Sequence, residues 1–147
     1  MAAEPWSIPL TDVLSFLSSV PFFSGFNEKQ LRALAEAGTE YRYKPGQEIV
    51  AEGRVGDGFY IVLDGKVEVL KGKRVLATLS NGQFFGEMSL IDEQPRSADV
   101  VAIQPTHCFA LSTKAFFTLV RKHPELGLLL LKEAVKHLRA VQASPGS

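Results

Sequence analysis

The sequence predicts a mainly β domain with flanking helices (α+β). Its centre is an antiparallel, jelly-roll-like β-roll of about eight strands, with N-terminal helices before it and a C-terminal lid helix after it. Two observations carry this. Between Tyr41 and Leu111 the apolar residues fall into short, glycine-punctuated runs, with turn signals roughly every 8–12 residues. On either side of that stretch, apolar residues recur at helical spacing instead. Strands this short do not suit an open parallel sheet.

Taken in order, residues 1–10, with Pro5 and Pro9, read as an irregular lead-in to a single domain over 11–141. Within it, 11–40 form the N-terminal helices. Val13, Leu14, Phe16, Leu17 and Val20 mark the first helix, which Pro21 ends. Asn27 and Gln30 form a capping box for the next, Phe26 can staple onto Leu31, and Gly38 supplies the stop. The roll covers 41–111, with Phe59 to Leu63 as a strand bounded by Asp64-Gly65. Gly46, Gly53, Gly65 and Gly82 read as turn formers. His107 and Cys108 read as strand residues, the thiol buried. Helices return over 112–141: Ser112 caps one carrying Phe116, Phe117, Leu119 and Val120, and Pro124 opens another. Residues 142–147 read as a flexible tail.

A chain of 147 residues can close one core without staples. Sixteen basic residues against sixteen acidic ones give no net charge, which argues against a broad footprint for nucleic acid or an anionic membrane. One cysteine, three scattered histidines and no apolar run near 18 residues point to a reducing, cytoplasmic setting, with no metal site and no membrane insertion.

The chemistry concentrates at residues 84–100. Gly86 lets the backbone approach a ligand closely, because it carries no Cβ. The N–H groups of Glu87, Met88 and Ser89 would open a helical turn, where unpaired donors favour a phosphate. Arg96, nine residues beyond Glu87, can fork two N–H bonds onto phosphate oxygens. Glu87 accepts hydrogen bonds only and suits a ribose hydroxyl.

This stretch resembles the phosphate-binding cassette of the cyclic nucleotide-binding domain family. That family includes catabolite activators, regulatory subunits of cyclic-AMP-dependent kinase and cyclic nucleotide-gated channels. The pattern F-G-E-x-[AS]-L followed by P-R-[AST]-A is met at Phe85, Gly86, Glu87, Ser89, Leu90, Pro95, Arg96, Ser97 and Ala98. Lys44-Pro45-Gly46-Gln47, Ala51-Glu52-Gly53, Phe59 to Val67 and Leu79 to Phe84 resemble its early strands, central hairpin and approach to the cassette. The resemblance implies a sensor of a cyclic mononucleotide, not an enzyme, with no covalent cofactor. Its sugar and phosphate would be held by Phe85, Gly86, Glu87, Met88, Ser89, Arg96, Ser97 and Ala98.

In resembling kinases a threonine after the arginine goes with guanine and an alanine with adenine. Ser97 keeps a hydroxyl, but serine also stands there in the catabolite activators, so cyclic AMP is expected ahead of cyclic GMP. Val69 and Leu76, expected to face each other across a hairpin, are either core or base-lining residues. The resemblance places Val141 or Gln142 nearest the base, on a helix that swings about His123-Pro124. On that helix Leu128, Leu131, Val135 and Leu138 keep an a/d rhythm, so the stripe either packs on the roll or pairs two copies as a homodimer. The output would pass to an effector protein or a fused effector domain, without direct contact to nucleic acid. The alternative is an interaction or dimerisation domain whose pocket is non-responsive or holds haem or cyclic di-GMP. A cupin-like metalloenzyme would need clustered histidines that the chain lacks.

Overall fold

The computed structural model describes residues 4–5, 10–55, 58–86 and 95–143. Nine strands and four α-helices occur among them. The strands are β1 (Glu4–Pro5), β2 (Thr39–Tyr43), β3 (Glu48–Val50), β4 (Phe59–Asp64), β5 (Lys66–Lys71), β6 (Arg74–Ser80), β7 (Phe84–Phe85), β8 (Asp99–Ala102) and β9 (Thr106–Leu111). The helices are α1 (Leu10–Ser18), α2 (Glu28–Ala37), α3 (Thr113–Lys122) and α4 (Pro124–Ala143), with a 3₁₀ turn at Pro21–Phe23. One sheet runs β1-β2-β9-β4-β7 and the other β3-β8-β5-β6, all pairs antiparallel. None of the described helices is long and apolar enough to cross a membrane. The expected roll is present, and the lead-in is the first correction. Glu4 and Pro5 pair with Arg42 and Tyr41 on the open edge of β2, a place where proline's missing N–H is tolerated.

Strand β4 explains why the fold has two cores. Successive side chains point to opposite faces, and here both faces are covered. Phe59, Ile61 and Leu63 meet Phe109 and Leu111 of β9 and the helices, through Val13, Leu17, Val20, Phe23, Leu34, Leu126 and Leu130. Val62 faces the inside of the roll, with Tyr43, Val67, Phe85, Val100, Ala102 and Cys108. That burial pushes the Cys108 thiol up to about 12, so it is a packing group and not a nucleophile.

The helix ends follow the sequence closely. Asn27 Oδ1 accepts from the Gln30 N–H at 2.8 Å, and Gln30 Oε1 from the Asn27 N–H at 2.9 Å. Ser112 Oγ accepts from the Ala115 N–H at 3.1 Å, and Pro124 opens α4 directly after the α3 cap residue His123. Gly38 needs a different account from the one its position suggested. It caps α2 in an extended conformation, φ −99°, so left-handed geometry is not what it supplies. A Cβ there would run into the Phe109 ring, so this glycine makes room for the core.

His107 is buried beneath α1, its ring edge-on to Phe16 at 5.8 Å, between Arg42 of β2 and Asp64 of β4. Burial holds its pKa below the ordinary 6.5; the Asp64 carboxylate opposes that and Arg42 adds to it. Because the folded state resists the proton, the unfolded chain binds it first as pH falls below 6.5, and stability drops. Denaturant midpoints should therefore fall less between pH 7.5 and 5.5 in His107→Gln than in the native protein. Equal falls in both would remove His107 from the acid response.

Candidate cyclic nucleotide site

The site forms where the end of β7, the start of β4 and the loop before β8 converge. Tyr60 of β4 stacks on Phe85 of β7, centroids 5.1 Å apart and planes 7° from parallel, and this fixes the chain just before Gly86. The loop before β8 is pinned from the other side. Val55 bridges Pro95, the Gly53 N–H donates to the Arg96 carbonyl at 2.9 Å, and the Arg96 N–H donates to the Arg54 carbonyl at 2.8 Å. With its backbone held, Arg96 turns its side chain inward and is 9% exposed.

Two backbone carbonyls are among the groups that hold the guanidinium. Nη2 donates to the Gly58 carbonyl at 2.7 Å, and Nη1 reaches the Gly86 carbonyl at 3.4 Å, the long end of such a bond. Gly86 has φ +81°, and a Cβ there would overlap Arg96 Nη1. Arg96 Nη1 thus occupies the space that a side chain at position 86 would need. A guanidinium is a planar fork of five N–H donors, the shape that suits two phosphate oxygens.

Phe85, Gly86, Arg96, Ser97 and Ala98 thus sit at one end of the roll, Ala98 buried and Ser97 exposed. Glu87, Met88 and Ser89 lie outside the described residues. Val69 packs against the roll's inner core. Leu76 does not face it: β5 and β6 pair Val69 with Ala77 and Leu70 with Val75, so a bulge takes Leu76 out of the ladder. Leu76 is 50% exposed, on an edge strand that is exposed at every position but Leu79. Val141 and Gln142 lie on α4, but their side chains are outside the description.

Gly58 was missed by sequence reasoning. Its only signal was a glycine directly before the first buried residue of a strand, Phe59. The leucine stripe of α4 also resolves. Leu126 and Leu130 are buried, whereas Leu128, Leu131 and Val135 are 55%, 52% and 41% exposed. The a/d residues described do not close on the roll.

The two sheets form a β-roll that carries, at one end, an inward-turned arginine lying over a glycine. The family profile described as cyclic nucleotide-binding domain matches residues 40–123, and the chain belongs to that family. It is 41% identical over 96 residues to a cGMP-dependent protein kinase of Toxoplasma gondii, covering 65% of this chain and 10% of the kinase. It is 40% identical over 89 residues to a cAMP-dependent protein kinase regulatory subunit of Yarrowia lipolytica, covering 59% of this chain and 24% of the subunit. Among solved structures, a cyclic nucleotide-binding domain from Methylobacillus flagellatus superposes with a TM-score of 0.77 at 31% identity, covering 89% of this chain and 76% of that one. The chain therefore spans a quarter or less of the two kinase relatives.

Proposed function

We propose that this domain senses a 3′,5′-cyclic mononucleotide, cyclic AMP ahead of cyclic GMP, and passes occupancy to helix α4. One observation carries the reading: Arg96 is buried, yet it is aimed and oriented by the Gly58 and Gly86 carbonyls within the family-matched segment. Arg96 would take the phosphate, Glu87 the ribose, and Met88 and Ser89 would add backbone donors. Val69 would meet the base from the roll, and Val141 or Gln142 from α4.

The base preference rests on Ser97. The kinase relatives include both a cGMP-dependent and a cAMP-dependent protein, so the overall likeness does not choose. The Ser97 hydroxyl is exposed and can meet a ligand. Calorimetric titration should give tighter binding for cyclic AMP than for cyclic GMP. Ser97→Thr should shift the ratio toward guanine by about one hydrogen bond, ~0.5–1.5 kcal/mol. Cyclic GMP binding as tightly as cyclic AMP, or more tightly, would overturn the preference.

The position of α4 supports the proposed coupling. It is joined to α3 at His123, and its exposed stripe offers Leu128, Leu131 and Val135 to a second copy or an effector. Ligand should change which surface the helix covers, provided one arrangement touches the nucleotide more than the other. Hydrogen exchange with and without cyclic AMP should show altered protection after Pro124. Protection confined to residues 84–98 would leave a binding protein with no switch in this helix.

A further inference from the structure

We propose that Gly58 is a positioning residue for the phosphate site and the joint through which that site acts on helix α3. The proposal rests on Arg96 being the phosphate ligand. Gly58 is buried and lies at φ +94°, directly before β4. Its carbonyl faces the site and accepts from Arg96 Nη2 at 2.7 Å, a shorter bond than the 3.4 Å one to the Gly86 carbonyl. Its α-carbon faces the other way. A Cβ on it would overlap the Leu111 carbonyl oxygen and come within 2.7 Å of Ser112 Cα. One residue therefore touches the guanidinium on one side and the end of β9 on the other.

What lies beyond that contact is the start of a helix. Phe59 and Leu111 are register partners at the end of the β4–β9 ladder, and Ser112 is the α3 N-cap. The Ser112 carbonyl accepts from the Phe116 N–H at 2.9 Å while its Oγ holds the Ala115 N–H. Helix α3 then packs on α4, so closely that a Cβ added at Gly127 would lie 3.1 Å from Val120 Cγ1. The joint has no slack: the φ and the crowding at Leu111 each exclude a side chain at position 58. When an anion draws the Arg96 donors, the Gly58 peptide plane must respond, and its α-carbon bears on the residue that caps α3. Coupling along this path is read at both of its ends.

The test uses the full chain, ¹³C/¹⁵N-labelled and titrated to saturation with cyclic AMP. The Gly58 carbonyl ¹³C shift and the Ala115 amide shift should move together in the native protein. In Arg96→Lys, with nucleotide raised until other site resonances saturate, neither should move, because an ammonium cannot reproduce the fork. Native-protein shifts at the site with a silent Gly58 carbonyl or a silent Ala115 amide overturn the proposal. If no resonance responds to cyclic AMP or cyclic GMP, the functional reading itself falls and takes this proposal with it.

A mutant cycle gives a second, independent reading. Gly58→Ala should weaken binding roughly tenfold or more in the native background and have less than about a twofold effect beside Arg96→Ala. A merely structural glycine would cost the same in both, and that result also overturns the proposal. Should Gly58→Ala fail to fold, the labelled native protein decides the matter.

Discussion

Arg96→Ala should lower affinity for cyclic AMP by roughly 30- to several-thousand-fold, the consequence of losing about 2–5 kcal/mol when one partner of a desolvated charge pair is removed. The size of the effect follows from where the guanidinium sits. It is 9% exposed, bonded to the Gly58 carbonyl at 2.7 Å and laid over a glycine that leaves it space. Water therefore screens its attraction to a phosphate far less than at an exposed arginine. Arg96→Lys should not restore binding, because a compact ammonium lacks the planar fork whose separate nitrogens can meet the Gly58 carbonyl and a pair of phosphate oxygens in one geometry. Calorimetry on both variants, with circular dichroism to show that the roll is intact, checks this. Native affinity in Arg96→Ala would remove Arg96 from the phosphate site.

The largest expected effect on stability belongs to Phe109→Ala, which should cost about 3–5 kcal/mol. Phe109 is fully buried in β9, opposite Ile61, at the seam between the roll and its helices. Its ring lies against Gly38, where nothing larger than hydrogen fits, so its removal opens a cavity that a rigid strand and a helix end cannot close. For a domain whose total stability is about 5–15 kcal/mol, that is a large fraction. Urea unfolding followed by tryptophan fluorescence or circular dichroism should show the midpoint falling steeply. A loss below about 1 kcal/mol would mean that the helices shift to fill the space.

Much of this protein is written locally. The switch from 3.6-residue to alternating spacing and back set the order of helices, roll and helices. Asn27-x-x-Gln30, Ser112 and Pro124 fixed helix starts because each works within a few residues of itself. The cassette was legible for the same reason: Phe85, Gly86 and Arg96 lie within twelve residues of one another.

Tertiary structure decided the rest, and in each case the deciding contact spans a long stretch of chain. Gly38 is a glycine because of a ring at position 109, not because of the helix it ends. Leu76 lost its place opposite Val69 to a bulge, and one residue of register changes which face a side chain takes. The exposure of Leu128, Leu131 and Val135 depended on Leu126 and Leu130 turning into the core, where α4 packs against α3 and the 3₁₀ turn. Gly58 meets Arg96 across thirty-eight residues. Periodicity and capping are rules of near neighbours on a chain. Register, crowding and the aim of a buried arginine depend on which distant segments the fold brings together, so the sequence alone determined the class of site and the packing determined how that site is held.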